Sequence, residues 1–181
     1  DGATSRELAG VSEAIAKQSV NGFVALARHP SVDVRKSAVE FLARRREPEA
    51  QRALVSVLSD RDPEVCKTAL ASMGAVNEPE TIAAVVALVQ KSQSWSIRAH
   101  AARALGRIGK LDSAESNTSV DSALRKAAVS DAFALVREAA LVSLTQIDRA
   151  AALKLLQQVA ASDAEPQIRE RARELAREAK P

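Results

Sequence analysis

The stretch SIRAHAARALGRIG, residues 96–109, shows the pattern on which most of this chain is built. Ile97, Ala101 and Leu105 recur at every fourth residue, which is the spacing of one face of an α-helix. Four other segments follow the same pattern: a Val or Ile, usually followed by Arg, and then Ala three residues beyond the Arg position. That position falls at residues 35, 66, 98, 137 and 169, with Cys66 replacing Arg in the second segment. Spacings of 31, 32, 39 and 32 residues indicate an internal repeat.

Each repeat is predicted to contain two helices joined by a tight turn. Residues that favour the start of a helix precede or open every patterned segment: Asp33, Asp62 with Pro63, Ser94, Asp131, and Asp163 with Pro166. A second apolar segment of helical length lies before each of them, at 22–28, 48–58, 80–90, 122–130 and 150–161. Neither helix can bury its apolar face alone, so the hairpins are expected to stack on one another.

We therefore predict an all-α chain, an α-solenoid with a right-handed superhelix made of about five helical hairpins. The predicted repeats cover residues 20–47, 48–77, 78–110, 119–147 and 148–180 of a single domain that spans 1–181. A further helix at 3–18 is predicted as an N-terminal cap or half repeat. The polar segment 110–118 lengthens the third link and is predicted to protrude as a loop.

The pattern resembles the HEAT repeat, in the short bacterial form found in phycobilisome-lyase-like proteins. The residues that carry the resemblance include DPEV at 62–65, residues 96–109, and LVREAALVSL at 135–144. The resemblance implies a ladder of Asp–Arg pairs between neighbouring repeats, from which Cys66 removes one member. It also implies an interaction scaffold whose second helices line a concave side. Other helical repeats fit less well, since the chain has no Tyr and no ankyrin-type T-P-L-H motif.

The composition describes a folded protein with a mixed surface charge. Apolar residues make up 46% of the chain and charged residues 27%, and the formal net charge is +3. The single cysteine, Cys66, allows no intrachain disulfide, which favours a cytoplasmic location but leaves the periplasm open. No apolar run reaches the length of a membrane span, so we predict no membrane insertion.

No catalytic constellation is found, and we predict a protein that is not an enzyme and has no cofactor, metal or catalytic residue. One Cys and two His, at 66, 29 and 100, cannot supply a four-ligand zinc site. Phosphate-binding, dinucleotide-binding and serine-nucleophile motifs are missing from the sequence. His29, next to Pro30 at the end of a helix, is predicted to serve the last carbonyls of that helix.

The predicted function is binding of another protein along the concave face of the second helices, by a chain that is monomeric by itself. The predicted contact residues are Lys36, Glu40, Arg44, Lys67, Trp95, His100, Arg103, Arg107, Arg171 and Glu174. Basic residues outnumber acidic ones among those in the first three repeats, which favours an acidic segment as partner. Trp95 has two interpretations: an anchor for the partner, or a cover over the seam between repeats two and three.

Two alternative functions stay open at this stage. The family resemblance suggests a bilin-lyase-like subunit or chaperone, although the sequence has no aromatic-rich stretch to hold a tetrapyrrole. Nucleic-acid binding, known among HEAT-like DNA glycosylases, is disfavoured. The net charge is small, and the chain has only three Phe and one Trp for base stacking.

Overall fold

The structure is a computed structural model that describes residues 19–73, 78–109 and 111–178. All regular secondary structure within these ranges is α-helical. The chain divides between Ser72 and Met73 into two compact units. The helix predicted at 3–18 lies outside the described residues, and the single domain over 1–181 stays a prediction.

Unit 1 ends at Ser72, and its described residues, 19–72, contain two helical hairpins. The first pairs α1, residues 19–26, with α2, Val32–Leu42. The second pairs α3, Pro48–Val57, with α4, Pro63–Ser72, and both of these helices begin at a proline. Buried apolar side chains from the last three of these helices form its core: Val39, Leu42, Leu54, Val65 and Leu70.

Unit 2 begins at Met73, and the part of it that the structure describes contains three hairpins, in repeats three to five. Their first helices, called A helices here, are α5 (Pro79–Lys91), α7 (Ala114–Ser130) and α9 (Arg149–Ser162). Their second helices, the B helices, are α6 (Trp95–Ile108), α8 (Ala134–Ile147) and α10 (Pro166–Glu178). B helices of neighbouring repeats pack side by side, α6 against α8 and α8 against α10.

Small residues bring α6 and α8 close together. A Cβ atom at Gly106 would lie 2.6 Å from the Ser143 Oγ, which is closer than packed atoms approach. The Ser143 hydroxyl in turn lies 2.8 Å from the carbonyl oxygen of Ala102 on α6. Any larger residue at position 106 would therefore force the side chains of α8 to shift, and the reason for glycine here is this contact rather than backbone freedom.

The prediction of a protruding loop at 110–118 is wrong, because α7 already begins at Ala114 and runs for 17 residues. The Ser113 Oγ caps α7 by accepting a hydrogen bond from the Ser116 N–H at 3.3 Å. The Asn117 side chain closes the preceding turn, since its Oδ1 accepts from the Leu111 N–H at 2.9 Å. The Ser, Asn and Glu residues that suggest a loop are also residues suited to the first turn of a helix. The longer link is therefore a longer A helix.

Candidate functional site

Pairs of buried arginine and aspartate side chains join the turns of neighbouring repeats. In unit 2, Arg98 donates from Nε to the Asp131 Oδ2 at 2.7 Å and from Nη2 to the Oδ1 at 2.9 Å. Arg137 makes the same two bonds to Asp163 at 2.8 Å each. Unit 1 contains an equivalent pair of Arg35 with Asp60. We call this series of two-bond pairs the ladder.

The remaining guanidinium nitrogen of each ladder arginine holds the turn in front of its own helix. The Arg98 Nη1 donates to the carbonyl oxygens of Ser92 at 2.9 Å and Gln93 at 3.3 Å. The aspartate also bonds within its own turn, as the Asp131 Oδ1 accepts from the Phe133 N–H at 3.0 Å. One arginine thereby bonds to two turns, its own and that of the next repeat, and holds them together.

The ladder aspartate stands six residues before the Arg position of its own repeat. Two repeats depart from this rule. The first has His29, whose Nδ1 accepts from the Ser31 N–H at 3.1 Å, as the aspartates do. This bond makes the Nδ1 an acceptor, and the prediction that His29 serves the last carbonyls of its helix stays a prediction. The third has Ser92 in place of the aspartate. By the ladder register Ser92 corresponds to the Arg position of repeat two, which is Cys66, so both members of that pair are uncharged.

The repeats match a known family. Models of HEAT repeats match residues 6–69, 20–106 and 90–177. The chain belongs to the HEAT-repeat family. The arginines of three Val/Ile-Arg pairs in these HEAT repeats, Arg35, Arg98 and Arg137, form the ladder. In repeat two, the aspartate of the DPEV stretch, Asp62, instead caps α4 by accepting from the Glu64 N–H at 2.8 Å.

Solved structures of helical-repeat proteins share this fold. A structure of the CpcE and CpcF complex of phycocyanin lyase from Nostoc sp. PCC7120 is 20% identical, with a TM-score of 0.65. The match covers 87% of this chain and 98% of that one. A designed armadillo repeat protein in complex with the peptide (KR)4 is 21% identical with a TM-score of 0.58, over 93% and 84% of the two chains. An engineered protein is 22% identical with a TM-score of 0.54, over 94% and 83%.

These comparisons confirm the predicted all-α fold class of stacked HEAT-type hairpins. No functionally curated protein matches the chain closely enough in sequence to count as a relative. None of the helices in the described ranges is long and apolar enough to cross a membrane. No cluster of His, Cys, Asp and Glu suited to a metal ion occurs among the residues that the structure describes.

Six of the predicted contact residues lie in unit 2, and three of them share one face of α6. Arg103 and Arg107 lie one turn apart with exposed side chains. Partial burial lowers the pKa of the Arg107 guanidinium, and the positive charge of Arg103 lowers it further. The His100 ring is half-buried and donates from Nδ1 to the Ser96 carbonyl at 2.8 Å. This face of α6 is therefore positively charged.

The outward face changes character along the B helices of unit 2. When Arg98 and Arg137 are aligned, the positions on α8 that match Ser96, Arg103 and Arg107 are Leu135, Val142 and Gln146. Leu135 is 49% exposed, so this part of the face is uncharged and partly apolar. On α10, Arg171 pairs with Glu174 at 2.9 Å and with Glu138 of α8 at 3.8 Å. The predicted contacts Arg171 and Glu174 thus already neutralise one another.

The remaining predicted contacts lie in unit 1. Lys36 is half-buried on α2, Glu40 is exposed on the same helix, and Arg44 is exposed just beyond its end at Leu42. Lys67 on α4 forms an ion pair of 2.7 Å with Glu64. The role of these four residues in binding stays a prediction.

The structure places Trp95 over a different seam from the one that its sequence position suggests. Its ring stacks on Phe133, with centroids 5.8 Å apart and planes inclined by 18°, so it covers the seam between repeats three and four. It is still 39% exposed, and Phe133 is 46% exposed. Phe133 and Leu135 are not among the contact residues predicted from the sequence. Aligning the repeats at Arg98 and Arg137 would have found both, because they are apolar where the other repeats have polar residues.

Proposed function

We propose that this HEAT-repeat protein is a binding scaffold that holds another protein on the outward B-helix face of unit 2. The observation that carries the proposal is the pair of exposed cations, Arg103 and Arg107, on one face of α6. Two neighbouring guanidinium groups concentrate positive charge on this face, which favours a partner that presents carboxylates. The proposed partner therefore presents an acidic residue to α6.

The neighbouring helices supply a complementary setting for an extended segment. Leu135 and Val142 on α8 offer an apolar surface beside the cations of α6. On α10, Arg171 pairs with Glu174, and this pairing leaves little net charge to attract or repel a charged residue of the partner. A segment with acidic residues followed by apolar ones fits this order of surfaces, and exposed apolar area next to charge is typical of protein-binding sites.

The proposed scaffold acts by binding and not by catalysis. The buried ion pairs of the ladder support this interpretation, because their charged groups are committed to one another and to backbone groups at the turns. The thiol of Cys66 is fully buried, and burial raises its pKa to about 11, which is unsuited to a nucleophile near neutral pH.

Affinity capture from a lysate of the source organism, with mass spectrometry as readout, tests the scaffold. The decisive variant is Arg103→Glu with Arg107→Glu. A matched control carries Lys154→Glu on α9 and Arg177→Glu on α10, which change the net charge equally. We expect a protein that is captured by the wild type and by the control but not by the α6 variant. Equal capture by all three proteins would exclude the α6 face as the binding surface.

A second candidate function is that of a bilin-lyase-like subunit. It is supported by the TM-score of 0.65 to the phycocyanin lyase complex, whose matched chain is covered over 98% of its length. Mixing the purified chain with a bilin and recording the visible absorption spectrum tests this candidate. A shifted and sharpened band that survives gel filtration would favour it, and an unchanged spectrum would reject it.

A further inference from the structure

A second surface of unit 2, separate from Arg103 and Arg107, has the features of a docking site. It lies at the turns, where Trp95 opens α6 and Phe133 immediately precedes α8. The two rings stack, and both remain more than one-third exposed. The Arg98 guanidinium lies 5.6 Å from the centre of the Phe133 ring, and its hydrogen bonds to Asp131 hold it in place. The aromatic pair therefore packs against an arginine side chain whose position is fixed.

Phe133 occupies a position that disfavours it on two grounds. In the other repeats this position, four residues before the Arg position, is polar: Ser31, Asp62, Ser94 and Glu165. The Ser94 Oγ caps α6 by accepting from the Ile97 N–H, whereas α8 begins without any side-chain cap. Phe133 thus gives up a helix cap and also exposes an aromatic ring to water. Residues that break local folding rules in this way are expected at functional sites.

A positively charged cleft adjoins the aromatic pair. Its volume is about 250 Å³, and Lys91, Lys126, Arg98 and Asp131 are the charged residues that line it. Asp131 is already paired with Arg98, which leaves the two lysines as its net charge. Neither lysine forms an ion pair within the described part of the chain. Arg98 lines the cleft and also faces the Phe133 ring, so one side chain adjoins both, and we call the cleft and the two rings together the turn seam.

The next seam along unit 2 serves as an internal comparison. Between repeats four and five, a cleft of about 270 Å³ is lined by the ladder pair Arg137 and Asp163, but it contains no lysine. At this seam the residue at the position of Trp95 is Ala134 of repeat four, and the residue at the position of Phe133 is Glu165 of repeat five. The aromatic pair and the two lysines therefore occur together at one seam and are both missing from its equivalent.

We propose that the turn seam binds a short acidic segment of another protein through one aromatic or large aliphatic anchor residue. The anchor packs against Trp95 and Phe133, and a neighbouring carboxylate of the segment meets Lys91 and Lys126. Aromatic platforms beside complementary charge are typical of residues that dominate binding energy. A second copy of this chain fits poorly, because a symmetric contact would bring the two lysine clefts together.

Trp95 itself supplies the measurement. It is the only tryptophan of a chain without tyrosine, so intrinsic fluorescence reports on the turn seam alone. The probe is the synthetic peptide acetyl-GEDFLDEG-amide, titrated into the full chain. We expect a saturable shift of the emission to shorter wavelength. A peptide with Ala in place of Phe and Leu should bind at least tenfold more weakly, as should one with Lys in place of each acidic residue.

Matched variants separate the seam from general charge effects. Lys126→Ala should weaken binding at least threefold, whereas Lys154→Ala, an exposed lysine on α9 outside the cleft, should leave it unchanged. Phe133→Ser should weaken binding at least tenfold and still fold, because serine is the residue found at this position in repeats one and three.

Three results would overturn the proposal. The first is the absence of saturable peptide binding. The second is equal affinity in Phe133→Ser and the wild type, or equal effects of Lys126→Ala and Lys154→Ala. The third is a Trp95 emission that shifts with the concentration of the chain alone, together with dimer formation that Phe133→Ser abolishes, which would assign the seam to a second copy.

Discussion

The Arg137 guanidinium and the Asp163 carboxylate form two parallel hydrogen bonds of 2.8 Å, although they belong to different repeats. Their side chains are only 9% and 5% exposed. Removing one member of a buried pair leaves the other charge without compensation, which typically costs about 3 kcal/mol or more. We expect Arg137→Ala to lower the free energy of unfolding of unit 2 by about that amount, as measured by urea denaturation.

Arg171→Ala provides the comparison for that variant, since Arg171 pairs with Glu174 at the surface. Exposed ion pairs contribute less than about 1 kcal/mol. A similar loss of stability in both variants would show that burial does not increase the contribution of the Arg137–Asp163 pair to the free energy of unfolding.

The ladder also predicts a dependence of stability on pH. Burial alone would raise the pKa of the Asp163 carboxyl. The hydrogen bonds from Arg137 and from the Glu165 N–H, with the charges of Arg137 and Arg169, outweigh this and lower the pKa below its ordinary value of 3.8. The native state therefore binds this proton less tightly than the unfolded state. The resulting stability is fully present above the ordinary pKa and is lost as the pH falls through the lowered one.

Urea denaturation in a series of buffers between about pH 6 and pH 3 tests this dependence. Asp163→Asn should be less stable than the wild type at the upper end of the series and should lose less stability on acidification. Parallel curves for the two proteins would mean that Asp163 does not contribute to the acid sensitivity.

Glycine at position 106 is predicted to be sensitive to the smallest substitution. In an exposed helix, Gly→Ala stabilises by up to about 1 kcal/mol. At Gly106 the added methyl would meet Ser143 and Gln146 at less than packing distance, so we expect Gly106→Ala to destabilise by about 2 kcal/mol. Gly22→Ala is the control, because a Cβ there meets nothing within 4 Å and should leave stability equal or higher. Thermal melts that move in the same direction for both would contradict the close α6–α8 contact.

Cys66 is predicted to be unreactive in the folded protein. It is 1% exposed, and burial raises the pKa of its thiol to about 11, with the charge of Asp60 adding to the effect. A disulfide reagent at about pH 8 should leave the native chain unmodified and should label one thiol in denaturant. Because the folded pKa lies above the unfolded value of 9.0, this group should reduce stability as the pH rises through that window. Rapid labelling of the native chain would disprove this burial.

Much of the fold could be predicted from sequence because the decisive signals are local. Pro48, Pro63 and Pro166 begin helices, as proline in the first turn favours. The prediction of a loop at 110–118 is wrong because polar residues such as Asn117 suit both a loop and a helix start. Its side chain closes a turn with Leu111 only once the chain has folded.

The candidate sites were less accessible to prediction. Arg103 and Arg107 follow from helical periodicity, and the structure places them on one face of α6. The stacking of Trp95 on Phe133 depends instead on how two hairpins pack, which no local pattern encodes. The choice of Asp60 over Asp62 as the partner of Arg35 likewise depends on the exact path of the turn.

The ladder has a consequence for how such a chain can change its length over evolution. The segment 131–162 contains one ladder aspartate, Asp131, and one ladder arginine, Arg137. If recombination copied residues 131–162 in tandem, the first Arg137 would meet the second Asp131, and the second would meet Asp163. No buried charge would be left alone at either junction. A repeat delimited at this boundary can therefore be duplicated or deleted without a compensating mutation elsewhere in the chain.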